Sequence, residues 1–178
     1  VCGWHGRKGP KIDPTCMGTS VQYLAINSPG PTMIIKRPVN RYDYPTGYTM
    51  AGLSDGSKSS LRGIELMCTL AQQGDRITVI TVQQDNIDTD KISKNCLEIV
   101  KNHGLEESSF KHEIIKKEFN KMTKDLIHEN LMGPGYIECD FIFVGNRGAD
   151  FMGSGHELGS VSGEIIKKCK LNMVFMPE

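Results

Sequence analysis

Short apolar runs of strand character alternate along this chain with longer stretches whose apolar residues recur every three or four positions. Ile77–Val82 reads Ile-Thr-Val-Ile-Thr-Val, β-branched throughout, which predicts a strand. Phe141–Gly145 and Met173–Met176 are compact apolar runs of the buried-strand kind. Tyr48–Ser54 is another, broken by Asp55-Gly56, and Phe110–Lys117 is a weaker one. Between them, Leu61, Ile64, Met67, Cys68 and Ala71 share one face of a helix. A second helix is predicted over Asp88–Asn102, with Ile92, Cys96, Ile99 and Val100 inward and His103-Gly104 as its stop. A third spans Phe119–Leu131, with Phe119, Met122, Leu126 and Leu131 nearly in line, and Gly133-Pro134-Gly135 ends it. The last runs over Ser160–Cys169. Strands separated by helices imply a parallel sheet covered on both faces. Right-handed crossovers then make a doubly wound α/β sandwich the natural architecture.

The same pattern occurs twice. Val1-Cys2-Gly3-Trp4-His5-Gly6 near the start matches Phe143-Val144-Gly145-Asn146-Arg147-Gly148 near the end. Each GxxG leads through a loop to a glycine and a hydroxyl residue, Gly18-Thr19 and Gly159-Ser160. A helix-like stretch follows in both, Val21–Asn27 and Val161–Lys168, and then a short strand, Met33–Ile35 and Val174–Met176. Aligning Gly18 with Gly159 aligns the strands without a gap at an offset of 141, while the GxxG pair needs 142. In a chain of 178 residues this period leaves one complete repeat and the tail of another. The expected division is therefore 1–36 as the C-terminal part of a first domain, 37–47 as a linker with two prolines and no apolar period, and 48–178 as a complete domain.

Composition narrows the functional classes. Lys plus Arg and Asp plus Glu both total 21, so the net charge is zero, which argues against a nucleic-acid partner held by bulk positive charge. No apolar run approaches the roughly 18 residues of a membrane span, so no membrane partner is expected. Cys2, Cys16, Cys68, Cys96, Cys139 and Cys169 are scattered, with no CxxC and no histidine pair at metal spacing. Free thiols in a reducing compartment, the cytoplasm, follow. No targeting peptide is visible, although Val1 opens a segment that already reads as mid-domain.

In open α/β sheets ligands bind beyond the carboxyl ends of the strands, where the strand order reverses. Asp55 follows the first strand of the complete repeat and Gly145-Asn146-Arg147-Gly148 follows the fourth. Glycines there let a ligand approach the backbone. Gly159-Ser160 opens a helix whose unpaired N–H groups and dipole favour an anion. A phosphate could sit between that helix start and the GxxG turn, with Ser160 donating a hydrogen bond and Arg147 neutralising charge. A carboxylate such as Asp55 suits ribose or base donors.

These residues resemble the universal stress protein family: Asp55-Gly56-Ser57 after the first strand, and G-x2-G followed by a loop and Gly-Ser-Val before the last helix. The resemblance covers 48–178 in element order, and 1–36 resembles the end of a preceding domain of the same kind. It implies a five-stranded parallel sheet of order 3-2-1-4-5, paired as a homodimer or tandem pseudo-dimer through the last strands. It also implies an adenine nucleotide (ATP, ADP or AMP) as ligand. Carried over residue by residue, Asp55 meets the adenosine moiety and Val82 lines the base pocket. Gly145, Gly148, Gly159, Ser160 and Val161 surround the phosphates. ATP-binding members carry G-x2-G-x9-G-(S/T), whereas the spacing here is G-x2-G-x10-G-S. The longer loop also holds Asp150 and Glu157, which repel phosphates unless a cation such as Mg²⁺ bridges them.

Other patterns carry less. Gly153–Gly159 is GxGxxxG, one residue too long for the dinucleotide fingerprint, and Gly52–Ser59 lacks the glycine-lysine pair of a phosphate loop. The five histidines form no triad: His103 and His128 sit in helical contexts as solvated residues, while His156 falls in the phosphate loop. Cys68, Cys96 and Cys169 fall on inward helix faces as small core residues. With no general base and no paired magnesium carboxylates, slow hydrolysis at most is expected. The primary expectation is a nucleotide-binding sensor or switch in a stress response. The alternative is a dimerisation and partner-binding module of the same fold without nucleotide. An adenylating enzyme is disfavoured because its serine-glycine-glycine loop is missing after the first strand.

Overall fold

The structure, a computed structural model, describes residues 1–3, 18–43, 46–133, 137–147 and 158–177. Its strands are β1 (Cys2–Gly3), β2 (Thr32–Ile35), β3 (Thr49–Leu53), β4 (Arg76–Gln83), β5 (Phe110–Lys116), β6 (Phe141–Gly145) and β7 (Asn172–Met176). Its α-helices are α1 (Thr19–Asn27), α2 (Lys58–Leu70), α3 (Thr89–Asn102), α4 (Thr123–Met132) and α5 (Ser160–Lys168). Among the described residues, one sheet of seven strands runs β1-β2-β7-β6-β3-β4-β5. The stretch β5-β4-β3-β6-β7 is the expected 3-2-1-4-5 order, all parallel. The expectation of five strands is extended, because Cys2–Gly3 and Thr32–Ile35 join the same sheet. β1 lies parallel to β2, and β2 lies antiparallel to β7 of the same chain, with Met33 opposite Val174.

Alternation along the strands splits the core in two. On one face Leu53, Ile80, Val82, Ile142 and Val144 pack with α4 (Leu126, Ile127, Leu131), α5 (Ile165, Ile166) and α1 (Val21, Ala25). On the other, Met50, Ile77, Val79, Phe141 and Phe143 pack with α2 (Ile64, Met67, Cys68) and α3 (Ile92, Cys96, Val100). Buried aliphatic side chains of this kind each contribute about 1.5–3 kcal/mol relative to exposure. Gly52 on β3 permits the close seat of α2, since a Cβ there would collide with Ile64 Cδ1. α2 begins at its N-cap Ser57, whose hydroxyl accepts from Ser60 N, and α3 begins at Asp88, which accepts from Lys91 N.

One sequence expectation is corrected. α4 starts at Thr123 rather than Phe119: the chain turns at Glu118–Lys121, and Phe119 is 100% and Met122 64% exposed. The in-line spacing of Phe119 and Met122 with Leu126 is therefore not a helical face. Before β3, a 3-10 turn at Arg41–Asp43 anchors the chain. Arg41 makes a two-point ion pair with Asp75, at 2.7 and 2.9 Å, and its guanidinium lies 4.4 Å above the Tyr48 ring. Lys36 and Arg37 backbone N–H groups both donate to buried Asn172 Oδ1 on β7, and Lys36 Nζ donates to Ile166 O and Cys169 O at the end of α5.

Candidate functional site

The strand order reverses between β3 and β6, and beyond their carboxyl ends lies a cavity of about 410 Å³. Asp55 and Val82 line it from β3 and β4; Gly145 and Arg147 line it from the end of β6; Gly159, Ser160 and Val161 line it from the start of α5. Gly148, Asp150, His156 and Glu157 lie outside the described residues. The volume falls in the range of small-ligand pockets, roughly 300–1,000 Å³.

The cavity lining combines apolar side chains with polar groups. Leu53, Ile80, Val82, Ile87, Ile127 and Val144 supply the apolar wall, suited to a flat ring. Asp55 stands beside it at a turn that Gly56 completes in the left-handed region, at φ +80°. The Asp55 carboxylate accepts from Ser57 N at 3.0 Å, which fixes its direction.

At the start of α5, the first helical bond runs from Gly163 N to Gly159 O at 2.8 Å. The N–H groups of Ser160, Val161 and Ser162 thus precede the helical ladder at the positive end of the dipole, the arrangement that holds anions. No side-chain cap occupies this start. The loop after β6 is held to β7 by Asn146 N, which donates to Met176 O at 2.8 Å, and by three further bonds. Gly159 N donates to Asn146 O at 2.9 Å, Ser162 Oγ to Gly145 O at 2.6 Å, and Ser59 Oγ to Arg147 O at 3.1 Å. Gly145 is needed for this internal packing: a Cβ there would meet Ser59 Oγ at 2.8 Å and Arg147 O at 3.2 Å.

Sequence reasoning missed Ser54, Ser60, Gln84, Thr123, Ile127 and Ser162 as lining residues. The serines fall in turn-like Ser-Gly-rich stretches, where hydroxyls signal loop chemistry and give no sign of burial. Ile127 adjoins the recognised inward residue Leu126 and was recoverable from it. Thiol chemistry is absent from the cavity among the described residues. Cys68, Cys96, Cys139 and Cys169 are buried free thiols, and burial pushes Cys68 up to about 12, Cys96 up to about 11 and Cys139 up to about 12. His103 is exposed and joins Thr69 and Ile99 O, away from the cavity lining. Among the described residues no cluster of His, Cys, Asp and Glu could hold a metal ion, and no helix is long and apolar enough to cross a membrane.

No protein-family model matches the chain, and no curated protein matches it. Solved structures do. A universal stress protein in complex with cAMP superposes with TM-score 0.56 at 20% identity, over 74% of this chain and 97% of that one. A universal stress protein from Archaeoglobus fulgidus gives TM-score 0.62 at 19% identity over 89% of this chain. A Pseudomonas aeruginosa chain assigned to the same proteins gives 0.58 at 12% identity and covers 99% of this chain. This chain spans 53% of the Archaeoglobus protein and 62% of the Pseudomonas one. The fold is that of the universal stress proteins.

Proposed function

We propose that the chain is a member of the universal stress protein family that holds an adenine nucleotide in the β3–β6 cavity, and that it works as a nucleotide-responsive stress or regulatory module. The observation that carries this is convergence. Seven residues expected from sequence to meet a nucleotide (Asp55, Val82, Gly145, Arg147, Gly159, Ser160 and Val161) line one cavity, together with apolar side chains and the N-terminus of α5. In this reading Val82 and the apolar wall take the base, Asp55 a ribose or base donor, and the α5 start with Arg147 and Gly148 the phosphates. Mg²⁺ would bridge the outer phosphates to the acidic loop. That a similar protein is in complex with cAMP supports an adenine ligand. Mass spectrometry of ligand released from the purified protein, followed by calorimetry with AMP, ADP and ATP, tests it; absence of binding to all three refutes it.

The domain division belongs to the same proposal: 1–36 as the C-terminal part of a first domain, 37–47 as linker, 48–178 as a complete domain, joined as a pseudo-dimer through the final strands. Free thiols are in keeping with the cytoplasm. A second reading, a partner-binding module without nucleotide, draws on Gly145 and Gly159. Both have an internal task, the first making room for Ser59 and the second bonding Asn146. The same calorimetry decides between them.

A further inference from the structure

We propose that Ser59 is a positioning residue that makes the cavity favour phosphorylated nucleotides over the free nucleoside; this rests on the adenine-nucleotide reading above. Ser59 lies on the first turn of α2 and is 4% exposed, so its hydroxyl answers to protein groups rather than water. Its Oγ donates to Arg147 O at 3.1 Å. A hydroxyl has one proton. With that proton on Arg147 O, the 3.4 Å contact between Ser57 Oγ and Ser59 Oγ must be donated by Ser57. Ser57 Oγ in turn accepts from Ser60 N, and Ser57 N donates to Asp55 Oδ1. An unbroken hydrogen-bonded path therefore runs from the Asp55 turn, at the nucleoside end, to the Arg147 carbonyl, at the phosphate end.

The path has a second anchor. Ser60 Oγ donates to Ser57 O at 2.9 Å, so the 3.2 Å contact with Ser54 Oγ is donated by Ser54, which also accepts from Gly56 N. Every proton in the cluster is committed, so the cluster has one arrangement. Its outlet is Ser59, which tethers the loop carrying Arg147 to α2. Without that hydroxyl the loop keeps its ties to α5 through Gly159 and Ser162 and to β7 through Asn146 N, but loses its side-chain tie to α2 beside Asp55. Groups on the Asp55 side stay in place, whereas the phosphate-facing backbone loses a fixed position relative to them. Binding of a molecule that spans both ends depends on that relative position. Binding of the nucleoside alone does not.

The test titrates adenosine and AMP into wild type, Ser59→Ala, Ser59→Thr and Ser59→Cys. Ser59→Ala is expected to weaken AMP about five- to tenfold, the loss of one hydrogen bond, and to leave adenosine within about twofold. Ser59→Thr keeps the hydroxyl and is expected to keep the preference. Ser59→Cys, close in size but a weak donor, is expected to match Ser59→Ala, giving a second route should one variant fold poorly. Equal losses for adenosine and AMP, or an unchanged AMP affinity in Ser59→Ala, overturn the proposal while leaving the pocket assignment standing. A wild type that binds neither ligand overturns the pocket assignment itself, and the role of Ser59 with it.

Discussion

Met33 stands directly opposite Val174 in the antiparallel ladder between β2 and β7, and these two residues are counterparts in the internal repeat, 141 positions apart. A residue that pairs with its own counterpart marks a local two-fold axis. The flanking pairs obey it, Thr32 facing Phe175 and Ile34 facing Met173. The parallel neighbours repeat as well: Cys2 and Gly3 pair with Ile34 and Ile35 as Val144 and Gly145 pair with Phe175 and Met176. Isologous pairing of this kind joins two copies of one surface. It supports the proposed reading, made from the sequence repeat, of 1–36 as the C-terminal part of a first domain.

The first prediction follows from that axis. Removing residues 1–40 uncovers the outer edge of β7, a strand buried along its whole length, and strips Asn172 Oδ1 of the two N–H groups it accepts. An exposed apolar edge recruits another strand. The truncated chain is expected to dimerise or aggregate where the full chain does not, as measured by size exclusion with light scattering. Identical masses for both chains would contradict the pairing.

Asp55→Asn separates charge from geometry. The amide oxygen can still accept from Ser57 N and keep the turn. A hydrogen bond to a charged group contributes about 1.5–3 kcal/mol, so adenosine and AMP affinity should both fall about 10- to 100-fold. Calorimetry reads this directly, with thermal melts showing an unchanged fold. Undiminished affinity would move the nucleoside end elsewhere.

The long acidic loop bears on phosphate number. Asp150 and Glu157 carry like charge to the outer phosphates, so without divalent metal AMP and ADP are expected to compete well against ATP. Adding Mg²⁺ should narrow the difference by bridging carboxylate and phosphate. Competition titrations with and without chelator check this; a strong ATP preference in chelator would count against it.

The elements and both core faces were legible because β-branched runs and helical spacing record burial directly: Ile77–Val82 and the set Ile64, Met67 and Cys68 could hardly be anything else, whereas the strand order came from the resemblance to the universal stress proteins. The cavity was legible where chemistry and strand ends coincide, at Asp55, Gly145 and Ser160. Phe119 misled because apolar spacing alone cannot tell an inward face from exposed residues preceding a helix start. The serine cluster and the Arg41–Asp75 pair were hidden for a different reason. Both are tertiary: Arg41 and Asp75 are 34 positions apart, and no local periodicity links an arginine in a polar linker to an aspartate at a strand entrance.

That pair carries a pH prediction. Asp75 is buried and accepts from Arg41, from Tyr48 N at 2.8 Å and from Gln72 N at 2.8 Å. Burial works to raise its carboxyl, but the Arg41 hydrogen bond and the two backbone N–H groups outweigh it and hold it below the usual value. A carboxyl lowered by folding contributes stability that is complete above its unfolded value of about 3.9 and is lost as pH falls through the folded value. Asp75→Asn is expected to cost about 2–3 kcal/mol at neutral pH and to flatten the acid limb of the stability curve below pH of about 4. Denaturant titrations at several pH values measure both.

His112 gives a second, separate window. It lies on β5, where its Nε2 meets Thr81 Oγ1 at 3.0 Å, while its Nδ1 is buried without a hydrogen-bond partner. Burial lowers its tendency to take up a proton, and nearby Asp90 and Glu113 only partly offset this. Thr81 is fully buried, so the ring cannot easily swing out without abandoning its bond to that hydroxyl. The unfolded chain binds the proton at about pH 6.5 and the folded chain only at lower pH. Between those values the unfolded state holds more protons, so stability rises with pH there. The contribution is complete above about 6.5 and is lost as pH falls through the folded value. Thermal melts from pH 7.5 to 5 should therefore show a falling midpoint well before Asp75 titrates. His112→Gln removes the titrating group while keeping a side chain that can reach the Thr81 hydroxyl, and is expected to abolish this upper slope and leave the acid limb intact. A wild-type midpoint that stays flat across the range, or a slope that survives in His112→Gln, would rule out His112 as its source.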